Sequence, residues 1–339
     1  MKKPTIRDVA KEAGVSVATV SRVLNNKPDA ASVTRKKVEE AISKLGYAKS
    51  SQWQQLATGK SRAISLHFPN SEGNPNPVYL DFITGATAAC EERDYRLHLI
   101  TRTLTEDDLL DLYRSSKSDG VILMKVQLHD WRADFLQRME SPFVMIGHTE
   151  RSVGASFIDY DFEAAMRAGL NHLYALGHRA VGYVSAMPAQ HSQHGPTVRS
   201  LRAYKDACVD LGIPELSYET DQSLQNIRLV TAGVLTEHPE MTALITTREM
   251  VETALFGAAN DVGLRIPEDI SVVGLMHPRG PELTSPALTA LDMPAWAMAY
   301  EAGSILIDQL EEVDTSIKEI LREPTLTVRA STSPVRQHV

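Results

Sequence analysis

Residues 5–25 read TIRDVAKEAGVSVATVSRVLN, two short amphipathic stretches joined at Gly14. Ile6, Val9, Ala10 and Ala13 recur at i, i+3, i+4 and i+7, which is one apolar face of a helix. Thr5 with Asp8 forms a capping-box pattern at its start, and Gly14 offers a left-handed stop. Ser16 caps a second helix two residues later, a tight helix-turn-helix joint. The same logic predicts a third helix capped by Thr34, with Val38, Ala41, Ile42 and Leu45 on one face and Gly46 at its end.

The second helix carries the chemistry. At 100° per residue Val20 and Val23, with Thr19 beside them, face the neighbouring helices. Val17, Ala18, Ser21, Arg22 and Asn25 fall on the opposite arc. Two small apolar groups, a hydroxyl, a guanidinium and an amide suit a DNA major groove. Arginine reads guanine bidentately, asparagine reads adenine, and a methyl group contacts that of thymine. Lys3, Arg7, Arg35, Lys36 and Lys37 surround this arc as phosphate contacts, which position without specifying.

Charge supports a division of labour. The 339 residues carry a net charge of -8, yet residues 1–60 hold 12 Lys+Arg against 5 Asp+Glu, leaving the remainder at -15. A basic head on an acidic body points to one module facing a polyanion and another with a different task. A hydrophobic content of 43% with 23% charged residues excludes disordered and membrane classes. No run approaches the roughly 20 apolar residues needed to span a bilayer. The first residues lack the apolar segment of a secretory signal, so a cytoplasmic protein is expected. Cys90 and Cys208 make no disulfide framework and read as small buried hydrophobes.

From residue 62 onward apolar runs alternate with amphipathic stretches. The strand-like runs are Ala63–Phe68, Arg96–Ile100, Gly120–Met124, Phe143–Ile146, Ala180–Val184, Ala243–Thr246, Ile270–Gly274 and Ala287–Leu291. Helix-like stretches include Leu80–Arg93, Glu163–Leu176, Leu201–Leu211, Val251–Val262 and Ala297–Leu310. This alternation argues for parallel sheets covered by helices, and the strand number for two sheets in two lobes. Gly59-Lys60-Ser61 is no phosphate loop, because Gln54 stands where the first glycine must be. His191 and His194 alone do not make a metal site. Asp159 and Asp161 read as strand-end and helix-cap residues. No nucleophile elbow or dinucleotide fingerprint occurs, so no catalytic residue, metal or cofactor is expected.

Residues 5–25 closely resemble the DNA-binding head of the LacI/GalR family of bacterial transcription regulators. Val17-Ala18 is similar to the galactose-repressor branch, and in the family these two positions with Arg22 choose the operator. The resemblance implies DNA contacts by Thr5, Ser16, Val17, Ala18, Thr19, Ser21, Arg22, Asn25 and Thr34. It also implies a hinge in which Gln54-Gln-Leu-Ala57 places Leu56 as a minor-groove wedge. The hinge departs from the pattern at Lys49-Ser50, where Pro-Asn is usual, and at Trp53, which replaces a small residue. That puts hinge pairing and operator bending in doubt.

The body resembles the same family more loosely. Asp159-Tyr-Asp161, His172 to Arg179, Ile266 to Gly274 and Ser285 to Pro294 carry the likeness. The implied fold class is an N-terminal all-α helix-turn-helix domain plus an α/β two-lobed, periplasmic-binding-protein-like effector domain. Residues 1–46 would be the head, 47–61 the hinge and 62–339 the effector and dimerisation domain. Lobe 1 would take about 62–160 and 292–322, and lobe 2 about 161–291 and 323–335.

Ligands in open α/β sheets lie beyond the carboxyl ends of strands. That rule nominates Phe68, Tyr79, Lys125 and His148 in lobe 1, and Arg199, Thr247, Arg248, Glu249 and His277 in lobe 2. The effector set is Tyr79, His148, Arg199, Arg248, Glu249 and His277. Arg248-Glu249 replace the family's Asn-Asp pair, Leu275-Met-His277 lacks its acidic contact, and Arg199 sits one step off its usual frame. The resemblance implies a cytoplasmic, nucleoid-associated repressor that binds a pseudo-palindromic operator in double-stranded DNA as a homodimer. Its effector would be a small molecule, a sugar in the first reading and a purine-like corepressor in the alternative.

Overall fold

The computed structural model describes residues 4–24, 32–46, 60–69, 78–151, 154–185, 193–221, 223–247, 251–276 and 284–335. Two compact units divide the chain, one up to Arg62 and one from Ala63 onward.

The head contains α1 (Ile6–Ala13), α2 (Val17–Leu24) and α3 (Ser32–Leu45). Its start is the capping box read from the sequence: the Asp8 carboxylate accepts the Thr5 amide at 2.8 Å and the Thr5 hydroxyl at 2.7 Å. Gly14 is left-handed (φ 64°), and Val15 N–H reaches back to the Ala10 carbonyl at 3.0 Å. Ser16 Oγ accepts the Thr19 amide at 3.1 Å, which caps α2. Ile6, Val9, Ala10, Val20, Val23, Val38 and Ala41 form the core of the three helices. The third helix begins at Ser32, so Thr34 lies inside its first turn and does not cap it.

The body holds two six-stranded sheets. The first is wholly parallel, in the order β11 (Glu319–Arg322), β5 (Ser156–Tyr160), β4 (Phe143–Ile146), β3 (Gly120–Leu123), β1 (Ala63–His67), β2 (Arg96–Ile100). The second runs β12 (Thr325–Thr327), β10 (Thr289–Asp292), β9 (Ser271–Met276), β8 (Ala243–Ile245), β6 (Val181–Ser185), β7 (Leu216–Glu219). Only its edge strand β12 is antiparallel. β1, β3 and β4 are buried along their whole length, as central strands covered on both faces must be.

Helices Val78–Glu92 and Ala295–Leu310 cover one face of the first sheet and pack very closely. A Cβ at Gly85 would lie 2.2 Å from the Trp296 carbonyl oxygen, so only glycine permits this crossing. One apolar cluster continues from lobe 1 through Tyr160, Phe162 and Met293, where the chain changes sheets, into lobe 2. The sequence missed strands β5, β7, β11 and β12 and helices Glu106–Arg114, Trp131–Arg138 and Leu224–Glu237.

Two buried histidines stand neutral in the lobes. His178 donates from Nε2 to the Ser333 carbonyl at 3.1 Å and accepts the Thr242 hydroxyl at Nδ1, 2.9 Å away. Burial pushes the pKa of both His178 and His67 down to about 4, and for His67 the Arg132 charge adds to that. An unfolded histidine titrates near 6.5, so between pH 6.5 and 4 the unfolded chain binds more protons and stability falls as pH falls. Thermal melts from pH 7.5 to 4.5 should show this loss, and His178→Gln should flatten part of the slope.

Candidate functional site

On the head, α2 turns Ala18 and Arg22 outward, one turn apart on the same ridge, with Ser16 exposed before them. Ser21 is half-buried, and Thr19 uses its hydroxyl on Ser16 Oγ at 2.9 Å. Val17, half-buried like Ser21, also packs against the head's core. Arg7, Lys11, Lys36 and Lys37 are exposed, Arg35 is half-buried, and Lys44 pairs with Glu12 at 2.5 Å. Asn25 and Leu56 lie outside the described residues, as do the departures at Lys49, Ser50 and Trp53.

In the body, the carboxyl ends of β1 and β3 bring Phe68, Tyr79 and Lys125 together. The Phe68 and Tyr79 rings are 4.3 Å apart and tilted by 55°. Lys125 Nζ stands 5.1 Å from the Phe68 centroid and 5.7 Å from that of Tyr79, within cation–π range. Phe68 is buried and Tyr79 half-buried, so the pair presents one partly open aromatic wall.

The end of β4 makes a second cluster. His148 stacks on Phe157 at 4.9 Å and 21°, and its Nδ1–H donates to Asp159 Oδ2 at 2.8 Å. Arg199, from helix Gly195–Leu211 of lobe 2, donates from Nη2 to the His148 carbonyl at 2.9 Å. Its Nη1 sits 3.6 Å from Asp159 Oδ2. Arg199 is 8% exposed, and burial lowers its pKa. A Cβ at Gly195 would fall 2.4 Å from Nη1, so the glycine makes room for it. Arg199 is thus a link between lobes and not a solvated rim residue.

More of the same seam is backbone. Gln127 and His194 form an antiparallel bridge, Leu128 N–H donates to the Gln193 carbonyl at 2.7 Å, and Glu150 N–H to the Leu128 carbonyl at 2.8 Å. The Arg202–Glu150 pair at 3.7 Å is exposed and adds little. In lobe 2, Thr247 is buried with its hydroxyl 3.4 Å from Tyr183 Oη, and Arg248, Glu249 and His277 lie outside the described residues. Asp161 caps helix Phe162–Ala175 by accepting the Ala164 amide at 2.8 Å.

Sequence reasoning missed the partnership of Asp159 with His148 and Arg199, and a buried knot of Asp130, Arg132 and His67. Arg132 donates to both Asp130 oxygens, at 2.9 and 2.6 Å, and to His67 Nδ1 at 3.0 Å. His67 Nε2–H then donates to the Arg102 carbonyl at 3.1 Å. Burial pushes the Asp130 pKa up, but the Arg132 hydrogen bonds outweigh it and the net shift is downward. An Asp two residues before an Arg marks a helix start, but nothing in that pattern tells that the arginine is buried. Glu252, fully buried at the start of helix Val251–Asp261, was also missed.

Comparison with known proteins decides the family. Residues 5–50 match the model of bacterial regulatory proteins of the lacI family, and residues 170–332 that of a periplasmic binding protein-like domain. The HTH-type transcriptional regulator MalR of Streptomyces coelicolor is 30% identical over 97% of this chain and 96% of its own. The chain belongs to the LacI family. It is a DNA-binding transcription regulator, and members of this family are not enzymes. A CelR transcriptional regulator–cellobiose complex is 25% identical with a TM-score of 0.72, over 97% of this chain and 99% of that one. A lac repressor dimer bound to operator and the anti-inducer ONPF shares the fold, with a TM-score of 0.85 at 22% identity, over 98% and 100%. The LacI-family fold expected from the sequence, head and two-sheet body alike, is therefore present. Among the described residues no helix is long and apolar enough to cross a membrane, and no three His, Cys, Asp or Glu side chains group to hold a metal ion.

Arg199→Met should remove a charged donor from the His148 carbonyl and leave Asp159 with one fewer partner. A loss of about 1–3 kcal/mol in the stability of this LacI-family body is expected, read by thermal unfolding.

Proposed function

We propose that the protein is a repressor whose operator affinity is set by a sugar bound between the lobes. The observation that carries this is the aromatic wall of Phe68 and Tyr79 with Lys125 above it, at the carboxyl ends of parallel strands. A ring platform takes the CH face of a pyranose, while charged groups take pairs of hydroxyls. Tyr79 belongs to the wall, with His148 and Arg199 beside the seam. Arg248, Glu249 and His277, which follow β8 and β9 in the sequence, complete the set. The cellobiose held by the CelR relative supports the sugar class.

Ligand binding that favours one arrangement of the lobes shifts operator affinity by the coupling free energy, typically about 1–3 kcal/mol. Two heads in a homodimer read half-sites about one helical turn apart in a pseudo-palindromic operator. In each head Thr5, Ser16, Thr19 and Thr34 lie around the entrances of the helices. Ala18, Ser21, Arg22 and Asn25 face the bases, Val17 supports them from the head's core, and Leu56 enters the minor groove. The lac repressor dimer on its operator supports this arrangement.

Gel shifts on a duplex selected from random sequence test the DNA reading. Arg22→Ala should lower specific affinity by about tenfold or more, the cost of one bidentate base contact, while melting of the body stays unchanged. Unchanged affinity would sink the assignment. Thermal shift against a panel of mono- and disaccharides and nucleobases tests the effector. Stabilisation by at least one sugar is expected, reduced by Tyr79→Ala; stabilisation by a nucleobase alone would replace the sugar reading with a purine-like one.

A further inference from the structure

We infer that Arg132 is a positioning residue that couples the aromatic wall to the seam between the lobes. The inference rests on reading the cleft as the effector site. Residues 124–130 leave β3 and enter helix Trp131–Arg138, and this short loop serves both places. At one end it offers Lys125 to the rings of Phe68 and Tyr79. In its middle Gln127 and Leu128 make the backbone bridge to His194 and Gln193 of lobe 2.

The loop needs to be held. Lys125 has φ +50°, a left-handed conformation that non-glycine residues rarely adopt. Arg132 spans the turn from inside. Its Nη2 donates to the carbonyls of Met124 at 3.1 Å and Lys125 at 3.2 Å. The Asp130 carboxylate, clamped by the same guanidinium, accepts the Gln127 amide at 3.0 Å. Nη1 ties the group to His67, at the end of the neighbouring strand β1.

All three residues are at most 5% exposed. A buried ion pair is a poor source of net stability, since apolar residues of the same shape often do as well. What the planar fork supplies is fixed geometry: contacts from all three of its nitrogens, with the Nη2 hydrogens shared among three acceptors, that lock the carbonyls of Met124 and Lys125 to the amide one residue before Leu128. A shift of the wall that moves Lys125 must therefore move Leu128, and with it the bond to Gln193.

Amide hydrogen exchange tests this on the ligand-free full-length protein. Tyr79→Ala alters the wall at a distance from the loop in sequence. In the wild-type background it should speed exchange at Leu128 about tenfold and leave the core amide of Ile122 unchanged. In an Asp130→Asn/Arg132→Met background, which removes both buried charges together, Leu128 should already exchange fast and Tyr79→Ala should add nothing. Arg132→Lys, which keeps the charge without the fork, should behave like that double variant. An equal effect of Tyr79→Ala in both backgrounds, or none in the wild type, would overturn the coupling. So would an Arg132 variant that speeds Ile122 as much as Leu128, since that marks a merely structural group. A sugar that stabilises the protein while Leu128 ignores Tyr79 would defeat the coupling and leave the effector cleft standing. If no sugar binds, the exchange result still decides the coupling.

Discussion

A parallel sheet covered on both faces leaves its polar groups one place to emerge, beyond the ends of its strands. That constraint arranges the candidate site in the body. Phe68, Lys125 and His148 follow β1, β3 and β4, and Thr246 and Thr247 follow β8. Along the strands themselves there is no room: Gly120 faces Leu306 so closely that a Cβ would sit 2.9 Å from it. Chemistry can vary at the strand ends while the layers stay apolar.

The strand ends also gather buried polar groups, drawn into two hydrogen-bonded clusters. His67 is neutral and accepts from Arg132, because a guanidinium only donates. Asp159 stays an acceptor for His148, for the Tyr160 amide and for the Arg199 charge. These networks span elements far apart in sequence, and the one around Asp159 spans both lobes. The seam is therefore specified by directed bonds, whereas the region where the chain changes sheets is specified by apolar packing at Tyr160, Phe162 and Met293.

Much of this was legible in residue order. Thr5, Asp8 and Gly14 gave the first helix because caps and left-handed stops are local chemistry. The central strands were legible as unbroken apolar runs. The missed strands β7, β11 and β12 are edges: β11 alternates exposed and half-buried residues, and β7 is largely half-buried, so their runs look like loops. Helix Glu106–Arg114 repeats the Thr5–Asp8 signature in Thr105 and Asp108, and that signal went unread. At the cleft, the strand-end rule located Phe68, Tyr79, Lys125, His148 and Arg199. It could not show that Arg199 turns inward or that Arg132 is buried, because a charged residue on a helix reads as solvated until a partner from another element is known.

Both sheets are finished by the same late segment. Strand β11 completes the first beside β5, and β12 completes the second beside β10, with Ser331 and Ser333 then sewn to Val272 and Ser271. During synthesis the head emerges first and can fold on its three helices. Interior strands β5 and β10, by contrast, lack a partner on one side until residues 319–333 have been made. A chain cut short of them would thus carry a DNA-reading head on lobes whose unpaired strands invite aggregation and proteolysis.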